Sequence, residues 1–574
     1  MNSMEFVLGS LQERCNLAIQ DAERTDVVKR IWRKDASLWK DDEGAQKIIK
    51  NSLGWLTVPD EMIAVAAELT EFANQIRSRG FKTVMVCGMG GSSLCPEVFA
   101  KTFGRQSDYP ELLVLDSTDP DVLADLLDRV DIEKCLFVVA SKSGSTTEPN
   151  TFYKFWYDQL SKKTDSPGAN FIAITDPGSP LIEVANKLGF QHTFLNQADI
   201  GGRYSALSYF GMVPAALMGL DISRFLQRAK EAEQSCSPVM PVAQNSALQL
   251  GAIIGECANA GRNKLTLVID DEIATLGLWI EQLVAESTGK EGKGVLPIAS
   301  EPLGSAANYG SDRLFVSISL GTNESESGLN ALSEAGHPVV YRQLSDLYDL
   351  AGEFFLWEFA TACAGWRIGI NPFDQPNVQE SKDATRELLE TFVHHGRLPE
   401  QDELVHDDAL TIYVANDQQN LPSDSTLAAV QVLLATAKPG DYIAFLDYVE
   451  ETPTIETELQ KIRLTLRNKT KCATTTGYGP RFLHSTGQLH KGGPGTGIFF
   501  QITANDAKDF PVPGESYTFS ILKQAQALGD FRSLASRGRR AIRVDLGNDT
   551  LGGLRKLHEL ISTALAGESD AAGA

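Results

Sequence analysis

The sequence is short of the residues that mark several common classes of protein. Its eight cysteines form no C-x-x-C pair and lie scattered in apolar runs, among them Cys87, Cys135, Cys257 and Cys363. That pattern reads as reduced core thiols and speaks against a disulfide scaffold or a zinc ribbon. Eight histidines form no H-E-x-x-H or comparable cluster, so no metal site is expected. No apolar run reaches the roughly 20 residues of a membrane span, and the N-terminus lacks a signal-peptide core. A cytoplasmic protein without a membrane partner is the expectation. Basic residues are in deficit, with 52 Lys and Arg against 75 Asp and Glu and a net charge of −23. Such a field disfavours nucleic acid as a partner. It also repels a sugar phosphate at long range, so a phosphate site here has to work through short-range donors.

Two short stretches supply such donors. Thr83–Cys87 is an apolar run of strand length that leads into Gly88-Met89-Gly90-Gly91-Ser92-Ser93, and Cys135–Ala140 leads into Ser141-Lys142-Ser143-Gly144-Ser145-Thr146-Thr147-Glu148. Glycine lets a backbone approach a ligand, and a helix N-terminus presents unpaired N–H groups to an anion. Ser, Thr and Gly also cap helices and fill turns everywhere. It is the occurrence of two such turns within one unit that favours a phosphate cradle.

At 574 residues the chain exceeds a single core. Residues 1–60 read as a helical, Trp-containing segment that packs on a neighbour. A first α/β unit spans 61–235 and a second 236–385, each alternating amphipathic helix with apolar strand, as a helix-covered parallel sheet requires. An acidic linker is expected over 386–407, a third α/β unit over 408–574, and disorder in the tail 567–574. In the helix expected over 275–286, Gln282 and Glu286 stand at i,i+4 on one face. Arg203 sits in a Gly-rich turn, Gly201-Gly202-Arg203-Tyr204-Ser205, at a helix start.

The third unit reads as a worn copy of the second. Residues 303–318 can be laid against 483–502, each followed by a helix and then a strand, Arg367–Ile370 in one and Arg540–Val544 in the other. Each copy ends in a helix bearing a lysine, Lys382 or Lys556. The third carries His484 and His490, and a Thr/Gly run at 474–477 where the second has Glu286.

Taken together these motifs resemble the phosphoglucose isomerase family. Gly88-Met89-Gly90-Gly91-Ser92 is similar to its glycine turn, 141–148 to its phosphate loop, and Gly201–Ser205 to its G-G-R-[YF]-S segment. Gln282–Lys290 resembles the segment with the catalytic glutamate, and Asn371–Pro376 followed by Lys382 the final motif of the short bacterial members. Beyond 385 the stretch Arg481–Gly497 resembles the isomerase half of transaldolase–phosphoglucose isomerase fusions.

The resemblance implies tandem doubly wound parallel-sheet sugar-isomerase (SIS) domains plus a third C-terminal α/β unit. It implies interconversion of glucose 6-phosphate and fructose 6-phosphate through a cis-enediol, without metal or cofactor. Glu286 would be the base, Arg203 the stabiliser of developing negative charge, and Lys382 and His484 the ring-opening pair, with His490 as runner-up. Gly90, Gly91, Ser92, Ser141, Lys142, Ser143, Ser145, Thr146 and Gln282 would hold the substrate. Alternatives are broader specificity that includes mannose 6-phosphate, and a non-catalytic sugar-phosphate sensor. The implied state is a monomer or homodimer, with a functional link to a transaldolase. One departure stands out: the family places its ring-opening histidine 20–30 residues after the glutamate, in the usual dimer from the partner subunit, whereas residues 287–336 here contain none. The expectation is that the third unit supplies His484 within one chain.

Overall fold

The structure is a computed structural model that describes residues 4–415 and 421–571. Alternating strands and helices build three sheets among the described residues. In the first, the order is Glu111–Leu115, Thr83–Cys87, Cys135–Ala140, Phe171–Thr175, His192–Leu195, all parallel. The two central runs are buried at every position, as strands covered by helices on both faces must be. Thr83–Cys87 and Cys135–Ala140 are neighbours, in register from Thr83 opposite Cys135. In chain order the sheet runs 2-1-3-4-5, so it reverses between these two strands. The connections leaving them diverge to opposite sides and open a crevice at their carboxyl ends. Both small-residue turns sit in that crevice.

The second sheet runs Leu296–Ile298, Lys264–Ile269, Arg313–Leu320, Val339–Leu344, with Met4–Val7 added antiparallel at the end. The third runs Ala473–Tyr478, Tyr442–Tyr448, Gly497–Thr503, Arg540–Asp545, then Thr411–Tyr413 and Glu403–His406 antiparallel. Both have the order 2-1-3-4 with an antiparallel fifth strand, which is the topology a repeated unit would show. The pairing of 313–318 with 497–502 lays third strand on third strand.

Several expectations need correction. No strand forms at Arg367–Ile370: the helix Leu350–Ile368 is buried almost throughout and continues to a cap at Gly369, φ 78°. The counterpart of Arg540–Asp545 is Val339–Leu344 instead. Thr474–Gly477 lies in a strand, and the third unit's equivalent of the glutamate-bearing helix is Pro453–Thr470. Residues 386–395 are not linker but the second half of the helix Pro376–His395, whose buried face (Thr385, Leu388, Leu389) binds it to the helix Phe519–Ser536. The N-terminal segment is not purely helical, since Met4–Val7 edges the second sheet. Its Trp32 and Trp39 donate to the carbonyls of Cys236 and Ala362, and Trp55 stacks on Tyr204. Of the tail assigned to disorder, residues 572–574 lie outside those described, and 567–571 end the last helix, Thr550–Ala571.

The units share interior surface. Leu296, Ile298 and Ala285 of the second pack with Tyr442, Ala444, Ala473 and Phe499 of the third. Glu301, fully buried, takes Arg313 at 3.2 Å, the Thr474 hydroxyl at 3.2 Å and Arg467 at 3.7 Å. A buried cluster of this kind contributes little net stability but penalises any misregistered docking. Against the first unit, Arg481 makes a bidentate pair with Asp116, both contacts 2.9 Å. Phe510 and Phe519 pack edge-on against Phe155.

Candidate active site

The glycine turn after Thr83–Cys87 packs so closely that side chains are excluded. A Cβ on Gly91 would lie 1.9 Å from the Gly202 carbonyl oxygen, and one on Gly90 (φ +55°) 2.7 Å from Gln282 Nε2 and 2.9 Å from the His484 carbonyl oxygen. One turn therefore gathers the Arg203 segment, the Gln282 helix and the His484 segment. The second turn is held by its own side chains. Ser141 is buried and its Oγ accepts the Gly144 N–H at 3.2 Å. Ser143 and Ser145 share a 3.0 Å hydroxyl contact. Lys142 is drawn to Asp176 and donates to the Ala198 carbonyl at 2.9 Å.

Between these turns lies a cavity of about 530 Å³, inside the usual range for small-molecule sites. Its walls include Gly90, Gly91, Ser92, Ser141, Lys142, Ser143, Thr146, Arg203, Gln282, Glu286, Gln375, Lys382 and His484. Ser145 is absent from that lining and borders an adjoining chamber, its hydroxyl 3.0 Å from that of the cavity residue Ser143.

The helix Leu276–Thr288 carries Gln282 and Glu286, and it is buried on nearly every face because all three units press on it. The Glu286 carboxylate is held at both oxygens, by Arg203 Nη1 at 3.1 Å and by Gln282 Nε2 at 3.2 Å. Gln282 Nε2 also donates to the His484 carbonyl at 2.8 Å. Two acceptors on that nitrogen fix the amide's orientation. Gln282 Oε1 is buried and meets no donor among the described residues.

Arg203, 3% exposed, uses its whole guanidinium. Nε donates to Ser287 Oγ at 2.7 Å, Nη1 to Gln375 Oε1 at 3.0 Å, and Nη2 to the carbonyls of Pro372 and Asp374 at 2.8 and 3.0 Å. Only the planar fork of arginine can meet such a set.

His484 arrives from the third unit on a short turn, Arg481–His484. Its Nε2 lies 3.2 Å from Glu148 Oε1, which also accepts Gln526 Nε2 at 2.7 Å. Burial alone would raise the Glu148 pKa, but the charge and hydrogen bond of His484, its own backbone N–H and the charge of Lys382 outweigh burial and lower it. His490 is elsewhere. It is buried against Phe499 and Tyr442, its Nδ1 2.9 Å from the Tyr442 hydroxyl, and burial pushes its pKa down to about 3. His490 is buried in the core of the third unit and is not part of the cavity wall.

Sequence reasoning overlooked Glu148, Ser287, Gln375 and Lys290. All four lay inside the motifs named above, yet only the fold shows what each one touches.

The fold and this site define an α/β protein whose helix-covered parallel sheets meet at a crevice of small-molecule size. Comparison with known proteins narrows the class. Residues 49–299 match the family model described as phosphoglucose isomerase. Over 385 residues the chain is 26% identical to a probable glucose-6-phosphate isomerase of Methanococcus maripaludis, covering 60% of this chain and 86% of that one. It is 28% identical over 396 residues to glucose-6-phosphate isomerase of Clostridium novyi, covering 59% and 86%. Among solved structures, a hypothetical protein from Thermus thermophilus superimposes with a TM-score of 0.58 at 21% identity, over 67% of this chain and 99% of that one. A glucose-6-phosphate isomerase from Chlamydia trachomatis gives 0.55 at 20%, over 68% and 89%. These two establish the shared fold.

Proposed function

We infer that the protein is a glucose-6-phosphate isomerase, an aldose–ketose isomerase that interconverts glucose 6-phosphate and fructose 6-phosphate. The observation that carries this reading is the Glu286 carboxylate fixed between Arg203 and Gln282 in the wall of a cavity that also holds the hydroxyl-rich turn. The relatives' names point the same way.

The phosphate sits on the Ser141–Thr146 turn, held by Ser141, Ser143, Thr146, Lys142 and backbone N–H groups. Neutral hydrogen bonds contribute about 1 kcal/mol each and charge-assisted ones about twice that, so several are needed against a net charge of −23. Anchoring the remote phosphate brings the reacting carbons to Glu286. His484, oriented by Glu148, and Lys382 open the ring by moving a proton between the ring oxygen and the C1 hydroxyl. Glu286 then takes the C2 proton of the aldose as the C1 carbonyl oxygen gains negative charge. As the C2 hydroxyl proton passes to the C1 oxygen, giving the cis-enediol and then a C2 oxyanion, Glu286 returns its proton to C1 and the C2 carbonyl of the ketose forms. Arg203 stabilises the transient oxyanion, and Gln282 Oε1 accepts from a sugar hydroxyl. No step needs a redox partner, since the two sugars are isomers.

His484 comes from the third unit of the same chain, so one chain holds a complete site and a monomer is the proposed active form, located in the cytoplasm. The functional link to a transaldolase is a further proposal and rests on the sequence of 481–497 alone; co-purification of the two enzymes tests it. The main reading is tested by a coupled assay of fructose 6-phosphate conversion, with mannose 6-phosphate as the control for specificity. Glu286→Gln is expected to abolish turnover and keep phosphosugar binding; wild-type rates in that variant contradict the base assignment.

A further inference from the structure

Lys290 lies just beyond the glutamate helix, and the proposed mechanism gives it no work. It is 2% exposed and does not line the cavity. A buried ammonium is costly unless fully partnered, and here the partner is one residue. Lys290 Nζ donates to Asp374 Oδ1 at 2.7 Å and to the Asp374 carbonyl as well. Asn371 Nδ2 holds the other Asp374 oxygen at 2.9 Å.

Asp374 is the hinge of the arrangement. Its carbonyl also accepts Arg203 Nη2 at 3.0 Å, so two cations share one oxygen. The next residue, Gln375, accepts Arg203 Nη1 at 3.0 Å and lines the cavity. Pro376 then begins the helix that carries Val378 and Lys382 into the cavity wall. One segment of four residues, 372–375, thus sets the Arg203 guanidinium on one side and the Lys382 helix on the other. Within that segment, Asp374 is the residue tied by charge to Lys290, two residues past the end of the glutamate helix.

We propose that Lys290 is a positioning residue: through Asp374 it locks the 372–375 segment so that Arg203, Gln375 and Lys382 face the substrate together with Glu286. This deepens the isomerase reading and rests on it. Its role is orientation, not proton transfer, because it touches none of the reacting atoms.

The charged groups facing Lys290 are Arg203, Asp374 and Glu286. Burial first, then the Arg203 charge, pushes its pKa down to about 8, while Asp374 and Glu286 oppose the shift. The protonated form is the one that grips Asp374, so the lock is present below that pH and is released as pH rises through it.

The test measures kcat, KM and thermal unfolding for wild type, Lys290→Met and Lys290→Arg from pH 6.5 to 9.5. Lys290→Met is expected to lower kcat by about 10- to 100-fold with a small change in KM, the range for removing a support of catalytic groups. In wild type, kcat is expected to fall as pH rises past about 8, and Lys290→Arg, which stays charged, to remove that fall. A purely structural role would lower the unfolding temperature and leave the pH profile of kcat where it was. If Lys290→Met does not fold, the Lys290→Arg profile decides alone. An alkaline limb unmoved in Lys290→Arg, or wild-type kcat in a folded Lys290→Met, overturns the proposal while leaving the isomerase reading intact. Absence of turnover in wild type overturns both.

Discussion

Replacing Arg203 by lysine keeps the charge and removes the fork, and so asks what the fork is worth. The guanidinium serves Ser287, Gln375, Glu286 and the carbonyls of Pro372 and Asp374. These partners surround a planar group at distances of 2.7–3.1 Å, and one ammonium with three protons cannot reach all five. At least two buried acceptors lose a charge-assisted donor, at about 1.5–3 kcal/mol each. A stability loss of about 3–5 kcal/mol follows, the range seen when one side of a buried ion pair is disrupted. Turnover suffers separately, because the donor that meets the developing oxyanion moves. Loss of one such donor costs about 10²- to 10³-fold in kcat. Chemical denaturation gives the first quantity and the coupled isomerase assay the second. A folded Arg203→Lys variant with kcat within about threefold of wild type would refute the assignment of Arg203 to transition-state stabilisation.

Two further predictions rest on other parts of the molecule. Gly91→Ala places a Cβ 1.9 Å from the Gly202 carbonyl oxygen; backbone has to move, and phosphosugar affinity measured by calorimetry is expected to fall by at least about tenfold, whereas unchanged affinity contradicts the close-packed turn. His490 is neutral in the fold, its pKa depressed by burial to about 3, and takes up a proton only on unfolding at mildly acid pH. The unfolded chain therefore binds more protons between about 6.5 and 3, and stability is lost as pH falls through that window. His490→Gln is expected to flatten this loss in unfolding temperature against pH, and an unaltered slope would show that His490 is not its source.

The legible parts of the sequence were those where period and punctuation agree. The runs at 83–87, 135–140 and 171–175 are buried on both faces, and each stands as an unbroken apolar stretch bounded by turn residues. The turns stood out because two of them follow strands within one unit, and Glu286 and Arg203 because they fall in motifs that resemble a single family; the fold brings all of them to one cavity. Short edge strands were not. Leu296–Ile298 is three residues long, and Met4–Val7 pairs across more than 300 positions with Val339–Arg342, so nothing local announces either. The helix through 386–395 was hidden by its acidic exposed face, and it is held by packing on Phe519–Ser536 that no local pattern shows. Glu148 and Lys290 meet partners 336 and 84 residues away, His484 and Asp374, a relation only the folded chain contains.

The central claim is that one chain assembles the whole site, with Glu286 from its second unit and His484 from its third. Mixing Glu286→Gln with His484→Ala after joint unfolding and refolding tests this most directly, read as turnover of ring-form substrate. If the site is built within one chain, every site in the mixture carries one defect, and activity stays at the average of the two variants. If histidine and glutamate came from different copies, mixed dimers would hold one intact site, and activity would recover to about a quarter of wild type. That recovery would contradict the account.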